Sequence, residues 1–157
     1  MQTVIGKKYF EHPRFRTIRD LLRDCAEKYG DNDAYRYHDT PEGPDIVHSF
    51  RDFTSDIDSL GTGLYELGLA GTHIVVVGAN CYEWAVSHNA IVNGLGVSVP
   101  LDRQLPEQEV INLSARGDVD AFTRHELAVT KRHPLAHDGA FDAVTGDRRE
   151  ALDLTQL

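Results

Sequence analysis

The run His73-Ile74-Val75-Val76-Val77-Gly78 constrains the fold of this chain more than any other segment. Its uninterrupted β-branched residues are typical of a strand that is buried on both faces, as the strands of parallel sheets are. A helical pattern over residues 82–95 follows, and then a second strand at Val97-Ser98-Val99, which we expect Pro100 to stop. This order predicts a right-handed crossover between two parallel strands.

The same pattern is repeated once further along the chain. A helix is predicted from Leu105-Pro106 onward, with acidic residues in its first turn, and a third strand is predicted over residues 119–122. Two consecutive crossovers define an α/β fold, in which a parallel sheet carries helices on both faces.

The segment before the sheet also has a regular pattern. Residues 1–16 are predicted to be an extended lead-in, and Thr17 is a suitable N-cap for a helix with one apolar stripe. Gly30 stands where a left-handed C-terminal residue is expected. The stripe consists of Ile18, Leu21, Leu22, Cys25 and Tyr29.

Turn-forming residues at positions 39–44 separate two short strand candidates, residues 34–37 and 46–48, which predicts a hairpin. Ser49 and Asp52 resemble a capping box at the start of a second helix. Gly68 is expected to end that helix.

Charge and apolar content narrow the possible partners and compartments. The chain has 16 Lys and Arg against 25 Asp and Glu, a net charge of −9, which argues against nucleic-acid binding through phosphate contacts. No segment has the roughly 20 apolar residues of a transmembrane helix. The start of the chain has no signal-peptide pattern. We therefore expect a cytoplasmic protein, in which Cys25 and Cys81 are reduced thiols.

The best candidate for a ligand contact is Gly78-Ala79-Asn80. These residues follow a buried strand and precede a helix, where nucleotide-binding folds often hold phosphate. They lack the G-x-G-x-x-G pattern, so a purely structural turn is the competing interpretation.

Other chemically suggestive residues are predicted to have structural or solvent-exposed roles. His133 and His137 have helical spacing for a metal, but Pro134 lies between them and no zinc ligand set is completed with His125. We predict no metal site and no catalytic residue. The remaining candidates are the triad residue types Ser98, His88 and Asp102 and the carboxylate pairs Asp56 with Asp58 and Asp118 with Asp120.

Several short motifs occur in the order found in one enzyme family. Ser49-Phe50-Arg51-Asp52-Phe53 is followed by the Gly-containing helix end at Gly68, by Asn80-Cys81-Tyr82-Glu83-Trp84 and by Val99-Pro100-Leu101-Asp102. Taken together, they resemble the N-terminal subdomain of the AMP-forming acyl-CoA synthetases, within the adenylate-forming superfamily. The "Y-E-W" and "V-P-L-D" motifs, at residues 82–84 and 99–102, resemble those of the long-chain fatty acyl branch of this family.

The resemblance implies a two-step ligase that uses ATP, Mg²⁺ and CoA to convert a fatty acid into its thioester. In that family the phosphates are held by a "T-S-G-T-T-G"-like loop, and no such segment occurs in these 157 residues. We therefore expect the chain to bind no cofactor and to be inactive alone. Residues 17–122 would be a partial N-terminal subdomain.

Residues 123–157 depart from the family pattern and are rich in Arg, His, Ala and Asp. We expect an atypical tail that is out of frame or disordered. Two alternatives stay open: a stand-alone α/β module that binds a small molecule, and a docking partner for a separately encoded remainder of the ligase. An uncovered apolar face would favour either such docking or self-association.

Overall fold

A computed structural model describes residue 6 and residues 14–125, 142–145 and 151–153. The helices are α1 (Ile18–Tyr29), α2 (Phe50–Glu66), α3 (Tyr82–Ala90) and α4 (Glu107–Arg116), and a π-turn (Ile91–Leu95) extends α3. The strands are β1 (Asp33–Tyr37), β2 (Ile46–Ser49), β3 (His73–Gly78), β4 (Val97–Asp102), β5 (Ala121–His125), β6 (Asp142–Thr145) and β7 (Ala151–Asp153).

The main sheet has the strand order β4-β3-β5-β6-β7, and β3 pairs in parallel with both β4 and β5. The predicted parallel arrangement of three strands is thus confirmed. The sheet also contains β6 and β7, which pair antiparallel and lie within residues 123–157. The predicted hairpin is confirmed as well, because β1 and β2 form a separate antiparallel pair.

The strand order explains why the two crossover helices lie on opposite faces of the sheet. The chain leaves β3 through α3 to reach β4 on one side, and it then returns through α4 to β5 on the other side. Right-handed crossovers in opposite directions place their helices on opposite faces. The predicted α/β architecture with helices on both faces is therefore confirmed.

The core is built mainly from α2, α3 and β3, which is the middle one of the three parallel strands. Ile74 and Val75 point to opposite faces, and both are 0% exposed. One cluster lies between β3, the end of α2 and the π-turn, and a second joins α2 and α3 to the β1–β2 hairpin. The first contains Leu64, Leu69, Ile74, Val76, Ile91, Leu95 and Ala121, and the second contains Phe53, Ile57, Tyr82, Val86 and Ala90.

Both predicted helix starts are confirmed as capping boxes. The Thr17 hydroxyl accepts a bond from the backbone N–H of Asp20, whose carboxylate accepts from the Thr17 N–H. Ser49 and Asp52 repeat the arrangement at α2. Each box satisfies two amide groups that a helix start leaves unpaired.

The end of α2 is also as predicted. Gly68 has φ +79°, and its N–H donates to the carbonyl of Tyr65. The N–H of Leu69 donates to the carbonyl of Leu64, which completes a Schellman motif with both leucines in the core.

Two expectations about helix and strand ends are wrong. Gly30 is right-handed (φ −46°, ψ −42°), and it must be small because a Cβ would lie 2.5 Å from the carbonyl oxygen of Ala26. Pro100 does not stop β4, which continues to Asp102. In the described residues β4 pairs only with β3, and an edge strand tolerates proline because one side of its backbone needs no partner.

The third helix ends differently from the simple helix predicted over residues 82–95. Its regular part stops at Ala90, and the chain continues as a π-turn in which Gly94 has φ +112°. Gly96 then passes so close to Thr72 that a side chain there would overlap the Thr72 carbonyl.

Among the described helices, none combines the length and apolar character needed to cross a bilayer.

Candidate functional site

The carboxyl ends of the three parallel strands lie side by side at one end of the sheet. Gly78, the last residue of β3, pairs with Asp102 of β4 and with the backbone of His125 of β5. Because β3 and β4 send the chain to helices on opposite faces, a crevice is expected between their ends. Ligands of open α/β sheets bind in such crevices, and Gly78-Ala79-Asn80 lie beside this one.

The loop itself is small and open on one side. Gly78 and Ala79 are half-buried and Asn80 is exposed, and α3 begins two residues later at Tyr82. The side chain of the N-cap, Cys81, makes no capping bond, while Glu83 supplies negative charge in the first turn. That carboxylate complements the positive end of the helix and makes the position less attractive to a phosphate. Ligand contact by Gly78-Ala79-Asn80 stays a prediction.

An aromatic cluster fixes the start of α3 next to the hairpin. The ring of Tyr82 is stacked against the ring of His48 at a centroid distance of 3.7 Å, and the ring of Tyr37 lies nearly parallel to that of His48 at 5.9 Å. The Tyr82 hydroxyl donates to Oδ2 of Asp56 at 2.6 Å. Burial raises the pKa of Tyr82, and the bond to Asp56 raises it further, so the hydroxyl keeps its proton as a donor.

Neither cysteine forms a disulfide, and both are half-buried, in agreement with the expected reduced thiols. Burial raises the pKa of the Cys81 thiol from its ordinary 9.0 to about 11. Because only the thiolate attacks electrophiles readily, Cys81 is poorly suited to nucleophilic catalysis at neutral pH.

The triad residue types are only partly brought together. Nδ1 of His88 lies 2.9 Å from Oγ of Ser98, which connects α3 to β4, and the His88 ring stacks on Trp84. Asp102 is directed elsewhere: its Oδ1 accepts a bond of 2.8 Å from the backbone N–H of Gln104. This bond begins the turn into α4. The arrangement agrees with the core and turn roles predicted for these residues.

The acidic pairs also have structural roles. Asp120 accepts a bond from the backbone N–H of His73 and so aligns the starts of two strands, and Asp118 occupies a turn with φ +48°. Asp56 is the acceptor for Tyr82. Within the described residues, no group of three or more His, Cys, Asp or Glu is placed to hold a metal. His133 and His137 lie outside those residues.

The structure contains two clefts between helices that the sequence did not predict. One lies between α1 and α2, and the other lies between α1, α2 and the π-turn. The second has a volume of about 430 Å³ and is lined by Arg19, Arg23 and the buried Asn93. The spacing of Arg19 and Arg23 placed both on one side of α1, but no sequence pattern indicated that Asn93 would face them.

This geometry is the fold of the N-terminal subdomain of adenylate-forming ligases. Residues 22–150 match the family described as AMP-binding enzymes. That match covers more than half of the chain, so the chain belongs to the AMP-binding enzyme family. It also includes residues 123–150, which we assigned to an atypical tail. No curated protein sequence matches the chain significantly.

Several solved structures share the fold. Klebsiella oxytoca NpsA, in complex with 3-hydroxyanthranilyl-AMSN, has a TM-score of 0.61 at 12% identity, over 76% of this chain and 24% of that chain. CmiS6 has a TM-score of 0.64 at 17% identity, over 93% of this chain and 38% of that chain. A Rhodopseudomonas palustris protein assigned as a long-chain-fatty-acid CoA ligase has a TM-score of 0.60 at 20% identity, over 69% of this chain and 26% of that chain.

The chain therefore spans less than two fifths of the length of these structures. At such low identities the comparisons establish the fold and not the substrate. Several of the motif residues have structural roles within the subdomain. Ser49 caps α2, Tyr82 joins α3 to α2, and Asp102 starts the turn into α4.

Proposed function

We propose that this chain is the N-terminal part of an AMP-forming long-chain fatty acid–CoA ligase that acts in the cytoplasm. In that reaction a fatty carboxylate attacks the α-phosphorus of ATP, and pyrophosphate leaves. The thiol of CoA then attacks the acyl carbonyl, loses its proton, and displaces AMP. The chain would contribute the folded support on which the catalytic parts assemble.

The observation that carries this proposal is the family match over residues 22–150. The fatty acyl assignment is supported by the sequence motifs around Tyr82-Glu83-Trp84 and Val99-Pro100-Leu101-Asp102. One similar fold belongs to a protein assigned as a long-chain-fatty-acid CoA ligase, whereas another was solved with an aryl-adenylate analogue. An aryl acid is therefore the competing substrate class.

The chain alone is proposed to be inactive. Stabilising a pentavalent phosphate requires backbone amides, hydroxyls and cations around it, and no "T-S-G-T-T-G"-like segment is present in the sequence. ATP, Mg²⁺ and CoA would bind mainly to other parts of the ligase.

The test is ATP–pyrophosphate exchange with Mg·ATP and palmitate, or with 3-hydroxybenzoate in a parallel assay. We expect no exchange with the purified chain. A ligase polypeptide that carries the phosphate loop is then added, and palmitate-dependent exchange should appear only in the mixture. Exchange by the chain alone would overturn the assignment, and exchange with 3-hydroxybenzoate only would overturn the fatty acyl class. Sequencing the locus through codons 120–157 tests the out-of-frame hypothesis for the tail.

The second candidate function is a stand-alone small-molecule module that uses the crevice beside Gly78 and Asp102. The convergence of three parallel strand ends at that end of the sheet favours it. Calorimetric titration with Mg·ATP and with an acyl-AMP analogue distinguishes the two candidates. Tight, saturable binding that an Ala79→Glu substitution removes would favour the module.

Docking of the chain to the remainder of the ligase is supported by apolar side chains that stay exposed. Ile18 and Leu21 project from α1, and Val97 lies on the edge strand β4. Size-exclusion chromatography of the chain with the ligase polypeptide that carries the phosphate loop should give one co-eluting species. If the chain instead elutes alone as a concentration-dependent dimer, self-association covers this surface.

A further inference from the structure

The groove between α1, α2 and the π-turn is a second place where this chain can bind a ligand. It is lined by the side chains of Arg19, Arg23, Asp58, Thr62, Tyr65 and Asn93 and has a volume of about 430 Å³. That volume falls in the range of small-molecule sites. The π-turn leads directly into the first residue of β4, so the groove lies at the opposite end of the sheet from Gly78.

Two arginines give the groove a positive wall. Arg19 and Arg23 are four residues apart, which places them on one face of α1 in consecutive turns. Within residues 14–125, neither forms an ion pair or a side-chain hydrogen bond, whereas Arg36 and Arg51 are both paired with aspartates. Other described arginines are unpaired as well, and what sets Arg19 and Arg23 apart is that both line the same groove.

The facing wall offers one exposed acceptor for hydrogen bonds, the carboxylate of Asp58. Asn93 also lines the groove and is only 7% exposed. Its Oδ1 has no hydrogen-bond partner, although buried polar atoms are normally satisfied, but this atom is buried behind the groove surface. A ligand here therefore needs donors, such as hydroxyl or amino groups, as well as negative charge.

The π-turn passes close to the first of these arginines. Gly94 has φ +112°, a conformation that favours glycine, and a Cβ at that position would lie 3.1 Å from Nη2 of Arg19. The π-turn therefore forms the part of the groove wall beside Arg19.

We propose that this groove binds a phosphorylated small molecule that carries hydroxyl groups, with a sugar phosphate as the simplest member of the class. The two guanidinium groups hold the phosphate by bidentate hydrogen bonds. The exposed carboxylate of Asp58 accepts bonds from the hydroxyl groups. Tyr65, which is 66% exposed, covers the remaining apolar face of the ligand.

The test is isothermal titration calorimetry of the whole chain with ribose 5-phosphate, and in separate arms with inorganic phosphate and with ribose. We expect saturable binding of ribose 5-phosphate, weaker binding of phosphate and none of ribose. The Arg19→Gln, Arg23→Gln double variant should bind at least about tenfold more weakly, because both charged contacts are lost. The matched control, Arg103→Gln with Arg116→Gln, removes the same charge elsewhere and should bind like the wild type.

A second variant keeps the test decisive if the double variant does not fold. Thr62→Glu introduces a carboxylate at an exposed position of α2 and should abolish binding while the melting transition is retained. Absence of saturable binding at millimolar ribose 5-phosphate would overturn the proposal. Binding by Thr62→Glu or the double variant at wild-type affinity would also overturn it. None of these measurements uses ATP or a fatty acid, so their failure leaves the ligase proposal unaffected.

Discussion

The hydroxyl group of Tyr82 donates a 2.6 Å hydrogen bond to Asp56 and thereby ties the start of α3 to the middle of α2. Tyr82 itself is 6% exposed and packs among the rings of Tyr35, His48 and Phe53. This single side chain thus connects the hairpin, the second helix and the first crossover helix. The motif that contains Tyr82, which resembles that of an enzyme family, therefore holds these three elements together in the structure.

Removing that hydroxyl should weaken the fold without disturbing the aromatic packing. We expect Tyr82→Phe to lower the free energy of unfolding by about 1 kcal/mol, the usual net value of one hydrogen bond. Urea unfolding followed by circular dichroism measures the change. Tyr65→Phe, at an exposed position, is the control and should have no effect. Equal stability of Tyr82→Phe and the wild type would show that the bond to Asp56 contributes nothing.

The capping box of α2 predicts a defined pH dependence. Hydrogen bonds from the side chain and backbone of Ser49 hold the pKa of Asp52 below its ordinary value of 3.8. A lowered pKa in the folded state stabilises the protein above the unfolded value and ceases to do so as pH falls through the folded value. Ser49→Ala should therefore be less stable than the wild type above about pH 4.

Below that pH the difference between Ser49→Ala and the wild type should shrink, because Asp52 becomes protonated in both proteins. The urea midpoints of the two proteins, measured across the acid range, test this prediction. The other carboxylates titrate in both proteins, so their contributions cancel in the difference. Ser55→Ala, on an exposed part of α2, is the matched control. A difference that stays constant into strong acid would contradict the assignment to Asp52.

Elements with a clear period could be predicted from the sequence, because the signal for each lies within the element. The strand around Ile74 to Val76, the capping residues Thr17 and Ser49 and the helix end at Gly68 were all predicted in this way. Such features depend on local backbone geometry and on burial, which the residue types themselves report.

Features that depend on distant neighbours could not be predicted. Pro100 was expected to stop a strand because the sequence does not reveal that β4 is at the edge among the described strands. Gly30 was expected to be left-handed, whereas a close approach to Ala26 is what excludes a side chain. The groove at Arg19 and Asn93 exists only because α1 packs against the π-turn.

Two glycines should respond in opposite ways to the same substitution. A Cβ on Gly61, inside α2, would meet the carbonyl oxygen of Ala90 at 3.6 Å, an ordinary contact. Gly61→Ala should therefore raise the free energy of unfolding by about 0.4–1 kcal/mol through helix propensity. Gly96→Ala forces an overlap with Thr72 and should lower it by about 1–3 kcal/mol. Destabilisation by Gly61→Ala would mean that α2 and α3 pack more closely at this position than an added methyl group allows.

The partly buried thiol at the start of α3 should be unusually slow to alkylate. In a Cys25→Ser background, Cys81 is the single thiol of the chain. Its pKa of about 11 instead of 9.0 reduces the thiolate fraction at neutral pH by roughly a hundredfold. Iodoacetamide labelling at pH 8, followed by mass spectrometry, should therefore be roughly a hundredfold slower in the folded protein than in concentrated urea. The urea sample is the internal control, because unfolding restores the ordinary thiol. Rapid labelling of the folded chain would show that Cys81 lies in a more polar environment than in the structure. The loop after Gly78 would then become a candidate reactive site.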